Sequence, residues 1–195
     1  MAINNLASGF RPGVVTSTTR PTTPYEGQAI WETDTDEMFV WNGTAWRPLA
    51  GLTPACSVTR TTNQSITNAA YNSISWDSEI FDTDSMFAPT STNITINSAG
   101  LYLLTVQMSY ASNATGVRIT LLEKNATAAG NGTFLCRDIR GAVNGDATFL
   151  TMTTQARLAA SDTIRLTVYQ SSGGALNTSN SAGDLCLTVS MIAWS

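Results

Sequence analysis

The feature that most constrains this chain is the alternation of apolar and polar residues over much of its length. A period of two places successive side chains on opposite faces of a β-strand. No segment of about a dozen residues keeps apolar residues at the helical period of 3.6, and turn residues interrupt the pattern at short intervals. The alternation therefore predicts an all-β protein, a sandwich or barrel whose strands each bury one face.

Four segments in the second half of the chain show the alternation most clearly. Roughly eight to ten strands of this kind fit between residues 56 and 195, which is the number that a jelly roll requires. The polar residues between the apolar ones, such as Arg118 and Thr120, are predicted to face outward. The residues predicted to face the core are Tyr102, Leu104, Val106, Met108 and Tyr110; Val117, Ile119 and Leu121; Ile164, Leu166 and Val168; and Leu185, Leu187, Val189, Met191 and Ala193.

The first 55 residues have a different organisation. Residues 1–24 are rich in Pro and Thr, which favours an extended arm. Residues 25–50 predict a small three-stranded β-meander, residues 51–55 a linker, and residues 56–195 the larger domain. The predicted meander strands are Gln28–Thr33, Glu37–Trp41 and Ala45–Leu49, with turns at Asp34–Asp36 and at the hairpin signal Asn42-Gly43.

The predicted meander holds three of the five tryptophans. Both faces of its second strand are apolar, with Phe39 on one and Met38 and Val40 on the other, and so small a sheet cannot cover both. The tryptophans could pack in a miniature core, or they could dock onto a partner, since aromatic anchors dominate interface energetics. Docking is the preferred interpretation, and the predicted anchoring residues are Trp31, Phe39, Trp41 and Trp46.

The composition excludes most enzyme classes. The chain has no histidine, which excludes Ser-His-Asp and Cys-His catalysis, histidine-ligated zinc and a histidine general base. It also lacks a P-loop and a GxGxxG motif. A non-enzymatic protein is predicted.

The charge pattern excludes two kinds of partner. The net charge is −4, Lys124 is the single lysine, and the arginines are scattered. Neither nucleic acid nor an anionic membrane is therefore a predicted partner. Charged residues make up only 12%, and small neutral polar residues take their place. That composition suits a surface shared with other subunits or with carbohydrate.

The termini and the cysteines bear on the cellular compartment. No apolar run approaches the roughly 20 residues that span a bilayer, and no signal peptide is visible, so synthesis in a cytosol is expected. The three cysteines, Cys56, Cys136 and Cys186, are odd in number and widely spaced. Three free thiols are the preferred interpretation, and a Cys136–Cys186 bridge remains open.

Residues 56–195 resemble the C1q/TNF-like jelly-roll superfamily. Ile94–Val106 matches the family's strand followed by an AGxY pattern, and Gly116–Asn125 matches its next strand. Leu158–Leu166 matches a third motif, with Ser161 where the family usually has glycine. The resemblance implies a homotrimer that serves as a binding head. Small, uncharged residues suit a threefold interface, which is predicted at Cys186, Thr188 and Ser190.

Residues 11–50 resemble a short module at the front of phage tail and head-surface proteins. The matching residues are Arg20-Pro21, Glu26-Gly27-Gln28, Glu32–Asp36 and Trp41–Trp46. This resemblance implies attachment to a phage particle, on a major capsid or tail protein. It does not say which part of the particle is bound.

The function predicted from both resemblances is a non-enzymatic capsid decoration (cement) protein or short head fibre. It would be made in the cytoplasm of the bacterial host and displayed on the virion surface. No collagen repeat, heptad run or shaft separates the two parts, which favours a head close to the particle. The alternative is a tail-tip or short tail-fibre component that binds a host-surface receptor or glycan. A third class, a non-viral C1q-like adhesion or secreted domain, fits the N-terminal residues less well.

Two ligand sites are conceivable in the head. An acidic segment offers oxygen ligands for calcium at Asp77, Glu79, Asp82 and Asp84. Its spacing does not match an EF-hand, so a solvated acidic loop is the preferred interpretation, and no other cofactor is predicted. Tyr71, Trp76 and Tyr169 are possible platforms for a glycan, although packing inside the sandwich is preferred for each.

Overall fold

The computed structural model describes residues 12–49, 53–178 and 185–194. All regular elements in these ranges are β-strands, which confirms the predicted all-β class. The chain divides into two compact units, residues 1–52 and 53–195. Within the described ranges there is no helix with the length and apolar character needed to cross a membrane.

The N-terminal unit is a four-stranded sheet in the order β1-β2-β3-β4. Neighbouring strands are antiparallel except for β1, which runs parallel to β2. The strands are β1 (Gly13–Val15), β2 (Ala29–Glu32), β3 (Glu37–Trp41) and β4 (Trp46–Pro48).

Strand β1 adds a fourth strand to the three-stranded meander predicted over residues 25–50. It lies in the segment 1–24 predicted as an extended arm, of which residues 1–11 are outside the described residues. Val14 and Val15 are β-branched and suit a strand, but three residues are too few to stand out from the surrounding Pro and Thr. Pairing of Gly13 with Ile30 and of Val15 with Glu32 turns this segment into a sheet edge.

The turn chemistry of this sheet follows its sequence. Gly43 has a φ of 94°, in the left-handed region where glycine carries no Cβ penalty. The Asn42 side-chain oxygen accepts hydrogen bonds from the backbone N–H groups of Thr44 at 3.0 Å and Ala45 at 2.8 Å. These bonds replace ladder bonds at the hairpin and set the register that pairs Trp41 with Trp46.

The C-terminal unit is a sandwich of two main antiparallel sheets. The first sheet has the order β13-β10-β16-β5-β8, and the second has the order β12-β11-β14-β7, with β9 also paired to β14. Strands β6 and β15 form a short additional pair. The strands are β5 (Ala55–Thr59), β6 (Ser65–Ile66), β7 (Tyr71–Ser73), β8 (Ser78–Asp82), β9 (Asn93–Thr95), β10 (Gly100–Tyr110), β11 (Val117–Lys124), β12 (Thr133–Gly141), β13 (Thr148–Leu158), β14 (Thr163–Gln170), β15 (Leu176–Asn177) and β16 (Cys186–Trp194).

The core lies between the two main sheets, and its buried side chains are at most 8% exposed. Strand β10 contributes the alternating residues predicted for it, from Tyr102 to Tyr110, all at most 1% exposed. The two tyrosine hydroxyls donate to backbone oxygens inside the unit, Tyr102 to Ser98 at 2.6 Å and Tyr110 to Ile119 at 2.8 Å. The core faces predicted for β14 and for residues 185–191 of the last segment are confirmed as well.

Strand β11 reverses the predicted orientation. Arg118 and Thr120 are completely buried, whereas Val117 is 37% exposed and Ile119 is half-buried. Pairing with β14 puts Thr120 opposite Val168, a core residue, so the even-numbered residues of β11 face inward. The prediction was wrong because Leu121 and Leu122 are adjacent, face opposite sides of the strand and are both buried. The apolar pattern of β11 therefore does not show which face is the inner one.

Two smaller expectations are also corrected. Strand β5 begins at Ala55, inside the segment predicted as a linker. Ala193, predicted to face the core, is exposed, because the register of β16 against β10 shifts between the pairs Tyr102–Met191 and Leu101–Ala193. A bulge of this kind turns the residues after it to a new direction.

Candidate assembly surfaces

Phe39, one of the predicted anchoring residues, lies in the core of the N-terminal unit. It pairs across the sheet with Ile30, and the two side chains are 8% and 1% exposed. The guanidinium carbon of Arg20 lies 4.5 Å from the centroid of the Phe39 ring. Arg20 also forms a bidentate ion pair with the buried Glu32 carboxylate. Phe39 therefore stabilises the unit itself and is not available to a partner.

The segment before β2 is fastened to the rest of this unit by Asp34. The carboxylate of Asp34 accepts hydrogen bonds from the Ser17 hydroxyl at 2.6 Å and the Ser17 backbone N–H at 2.9 Å. These hydrogen bonds lower the pKa of Asp34. Residues 17–20 thus belong to the folded unit, held by Asp34 at one end and by Glu32 at the other.

The three tryptophans of the unit lie on opposite sides of the sheet. Trp41 and Trp46 pair directly across β3 and β4, with ring centroids 5.6 Å apart and a T-shaped angle of 61°. Trp31 faces the other way, in a cross-strand row between Val14, which is 59% exposed, and Met38. We call the row Val14, Trp31 and Met38 the apolar row of the small sheet.

The outward side of the first sheet of the head carries no charged residue across three consecutive cross-strand rows. Cys186, Thr188 and Ser190 lie at its centre, each half-buried. The hydroxyls of Thr188 and Ser57 are 2.8 Å apart, and the Cys186 sulfur lies 3.8 Å from the Gln107 side-chain oxygen. We call these rows the neutral face: Thr151, Gln107, Cys186, Thr59 and Ser78; Thr153, Thr105, Thr188, Ser57 and Phe81; and Gln155, Leu103, Ser190 and Ala55.

The two edges of this sheet each expose a phenylalanine. Phe81 on β8 is 42% exposed and Phe149 on β13 is 49% exposed. Four interstrand steps separate these strands, or about 19 Å at roughly 4.8 Å a step. The surface is therefore polar but uncharged in the middle, and each margin exposes one phenylalanine.

Two carboxylates of the acidic segment accept hydrogen bonds from the protein itself. Asp77 accepts hydrogen bonds from the Thr61 backbone N–H at 2.7 Å and the Thr62 hydroxyl at 3.1 Å. Partial burial alone would raise the pKa of Asp77, but these bonds outweigh it and the pKa is lowered. Asp82 accepts from the backbone N–H groups of Asp84 and Phe87. Among the described residues no group of three or more His, Cys, Asp or Glu could hold a metal ion. Calcium at Asp77, Glu79, Asp82 and Asp84 stays a prediction.

The three cysteines are free thiols, so the alternative Cys136–Cys186 bridge is not formed. Cys56 is completely buried, and this desolvation raises its pKa to about 12. The sulfur of Cys136 lies 3.8 Å from the sulfur of Met152.

Two of the three aromatic residues considered as ligand platforms reach the surface. Trp76 is fully buried in the sandwich and is excluded. Tyr71 is 46% exposed and Tyr169 is half-buried, and their ring centroids are 5.4 Å apart at an angle of 52°. They lie on the second sheet, on the opposite side of the sandwich from the neutral face.

Comparisons with known proteins identify the fold of the head. No family model matches the chain, and no curated protein sequence gives a significant match. Solved structures do match. Murine APRIL at pH 5.0 has a TM-score of 0.57 and 13% identity, covering 72% of this chain and 99% of that one. The globular domain of zebrafish complement 1qA has a TM-score of 0.53 and 12% identity, covering 73% and 99%.

A third structure, Eiger TNF from S. frugiperda, has a TM-score of 0.57 and 13% identity, covering 74% of this chain and 96% of that one. At these identities the likeness concerns the fold alone. The head is thus a jelly roll of the C1q/TNF-like type, as the resemblance of residues 56–195 implied.

Proposed function

We propose that this chain is a non-enzymatic structural subunit of a phage particle. Its head forms a homotrimer displayed on the virion surface, as a capsid decoration protein or short head fibre, and its N-terminal unit attaches it. The observation that carries the trimer is the neutral face. The phage assignment is supported by the N-terminal residues that resemble a phage module.

The neutral face has the chemistry of a surface that is buried in an assembly. Interface centres are depleted of charged residues, because each buried charge must lose its hydration. The hydroxyl groups of Ser57 and Thr188 already form a hydrogen bond with each other, so they can be buried in an interface without a hydrogen-bonding group on the partner. A monomer that had to stay soluble alone would be expected to carry charge on so large a sheet face.

The two exposed edges suit threefold rather than twofold assembly. A cyclic trimer uses a heterologous contact, in which one patch of each subunit meets a different patch of the next. Phe81 and Phe149 lie at opposite edges of the same sheet and provide two such patches. We propose that the β8 edge of one subunit packs near the β13 edge of its neighbour.

Attachment is proposed through the apolar row of the small sheet and through Trp41 and Trp46. Trp31 and Met38 are half-buried and Val14 is exposed, although all three side chains are apolar. Aromatic anchors of this kind contribute most of the binding energy at interfaces. Phe39 is left out, because it forms the core of the unit.

Light scattering with a charge inserted in the neutral face tests the trimer. The wild-type chain is expected to have three times its 20.7 kDa mass. Thr188→Arg is expected to give a folded monomer, because the new cation would be buried at the threefold centre. Thr133→Arg places the same change on an exposed position of β12 and is expected to stay trimeric. A wild-type monomer at micromolar concentration would overturn the proposal.

Immunogold labelling of intact particles with antibody against residues 56–195 tests the location. Labels over the head are expected for a decoration protein, and particles that lack the chain should then break at lower temperature yet still adsorb to cells. Labels confined to the tail would show that the chain is not a head decoration protein, and would favour a tail component that binds the host surface. Trp31→Ala is expected to leave the chain folded and reduce its incorporation, whereas unchanged incorporation would exclude the apolar row as the attachment surface.

A further inference from the structure

The outward side of the second sheet carries a row of four apolar or aromatic residues. Register pairs Ile139 with Ile119, Ile119 with Tyr169, and Tyr169 with Tyr71, so the row crosses β12, β11, β14 and β7. Tyr71 and Ile139 are 46% and 49% exposed, and the two residues between them are half-buried. We call Ile139, Ile119, Tyr169 and Tyr71 the outer row.

The outer row exists because β11 turns its odd-numbered residues outward. That orientation requires Arg118 to be fully buried, while Ile119 reaches the surface. Stability alone would favour a strand that buries Ile119 and exposes Arg118, because isoleucine is usually buried in proteins and arginine is usually exposed. An apolar surface maintained in this way is typical of a binding site.

The aromatic end of the row is held in place before any ligand arrives. The backbone of Gly130 packs against the Tyr71 ring so closely that a Cβ at this position would lie 2.7 Å from a ring carbon. Tyr71 also contacts Tyr169, with the two ring centroids 5.4 Å apart. A platform fixed in this way loses little conformational entropy on binding.

The two hydroxyls of this platform are available to a ligand. Among the described residues neither Tyr71 nor Tyr169 donates a side-chain hydrogen bond to protein, in contrast to the buried Tyr102 and Tyr110, whose hydroxyls both do. A ligand at the outer row would therefore meet apolar ring faces with hydrogen-bonding groups beside them, a combination for which tyrosine is suited.

The size and charge of the row indicate the class of ligand. The row contains no charged residue, so an anionic or cationic ligand would find no counter-charge within it. The interstrand spacing gives it a length of about 14 Å, which suits a short, neutral, elongated molecule.

We propose that the outer row binds a neutral saccharide. One face of a pyranose ring presents C–H bonds that carry partial positive charge, and these stack on the electron-rich face of a tyrosine ring. The sugar hydroxyls at the ring edge bond to the hydroxyls of Tyr71 and Tyr169, and Ile119 and Ile139 provide an apolar shelf for an adjoining sugar unit. This activity goes beyond the proposed assembly role and does not depend on it.

Saturation-transfer NMR with the full chain tests the site. The probes are methyl glycosides and short neutral oligosaccharides of glucose, galactose, mannose and N-acetylglucosamine. Wild type is expected to transfer saturation to the ring protons of at least one probe. Tyr71→Ala is expected to weaken that binding by about tenfold or more, equivalent to about 1.4 kcal/mol, and Tyr71→Phe by less, because the ring is retained.

Phe134→Ala is the matched control, because Phe134 is 51% exposed on β12 but lies outside the outer row. It is expected to bind as wild type does. Absence of transfer to every probe with wild type, or an equal loss in Phe134→Ala and Tyr71→Ala, would overturn the proposal. Light scattering on the same samples separates this outcome from a failure of the trimer.

Discussion

The guanidinium carbon of Arg118 lies 5.8 Å from the centroid of the Tyr110 ring, and neither side chain reaches solvent. Arg118 donates hydrogen bonds to the backbone oxygens of Asn113 and Thr115 at 3.0 Å and of Val117 at 3.1 Å. Within the described residues it forms no ion pair with a carboxylate. Its burial lowers the pKa of Arg118 through desolvation. The arginine thus serves to hold the loop before β11 against the core.

Arg118→Met is expected to lower the free energy of unfolding by about 2–4 kcal/mol, because three carbonyls lose their donors. Chemical denaturation followed by tryptophan fluorescence measures the change. Arg118→Lys should fall between wild type and Arg118→Met, since an ammonium cannot span all three oxygens. A gain in stability for Arg118→Met would mean that the desolvation of the cation outweighs its hydrogen bonds.

Ser161→Gly is expected to stabilise the head. Ser161 has a φ of 73°, a conformation that strains residues with a Cβ, and its side chain is exposed. Glycine is also what the C1q/TNF-like pattern usually has there. The expected gain is about 0.5–1 kcal/mol, seen as a higher melting temperature by calorimetry. Ala160→Gly, in the same turn but without positive φ, should destabilise; a gain in both would refute the strain argument.

Asp162→Asn is expected to reduce stability at neutral pH and to have a smaller effect in strong acid. Burial would raise the pKa of Asp162, but hydrogen bonds from the Ala159 N–H at 2.8 Å and the Asn125 amide at 2.7 Å, with the charge of Lys124, outweigh it and lower the pKa. A carboxyl group whose pKa is lower in the folded than in the unfolded state stabilises the fold at pH values above its unfolded-state pKa, about 3.9 for Asp. This stabilisation is lost as the pH falls through the folded-state pKa.

The loss for Asp162→Asn should be about 1–3 kcal/mol at pH 7 and should shrink as the pH falls below the unfolded-state pKa of about 3.9. Denaturation curves at pH 7, 5, 3 and 2 give the profile. Asp146→Asn removes an exposed carboxylate that, among the described residues, accepts a hydrogen bond only from the Ala147 N–H. The stability of this variant should equal that of wild type at every pH. A deficit for Asp162→Asn that is constant with pH would show that packing and not charge is responsible.

Cys56 is expected to be inert in the folded protein. Burial, together with the nearby Asp82 and Glu79, raises its pKa to about 12, and only the thiolate attacks disulfide reagents. In a Cys136→Ser, Cys186→Ser variant, a thiol reagent at pH 8 should modify no cysteine until denaturant is added, and one cysteine afterwards. Rapid modification of the native variant would show that the core opens locally.

Part of the assembly surfaces could be predicted from the chain and part could not. Thr188 and Ser190 were predicted to face outward from one strand, and they do. The uncharged rows around them could not be predicted, because they join residues of five strands whose order is not encoded locally. Phe39 was predicted to be an exposed anchor, because the residues next to it in the sequence do not indicate that Arg20 packs over its ring.

The sequence by itself determined the β-class, the faces of β10 and β14, the Asn42-Gly43 hairpin and the absence of histidine chemistry. All of these follow from side-chain alternation, turn residues and composition, which are local properties. Only the tertiary structure decided which face of β11 is buried, which groups donate hydrogen bonds to the carboxylates of the acidic segment, and that Tyr71 contacts Tyr169. Those outcomes depend on register between strands distant in the chain, and a shift of one residue would exchange the two faces of a strand.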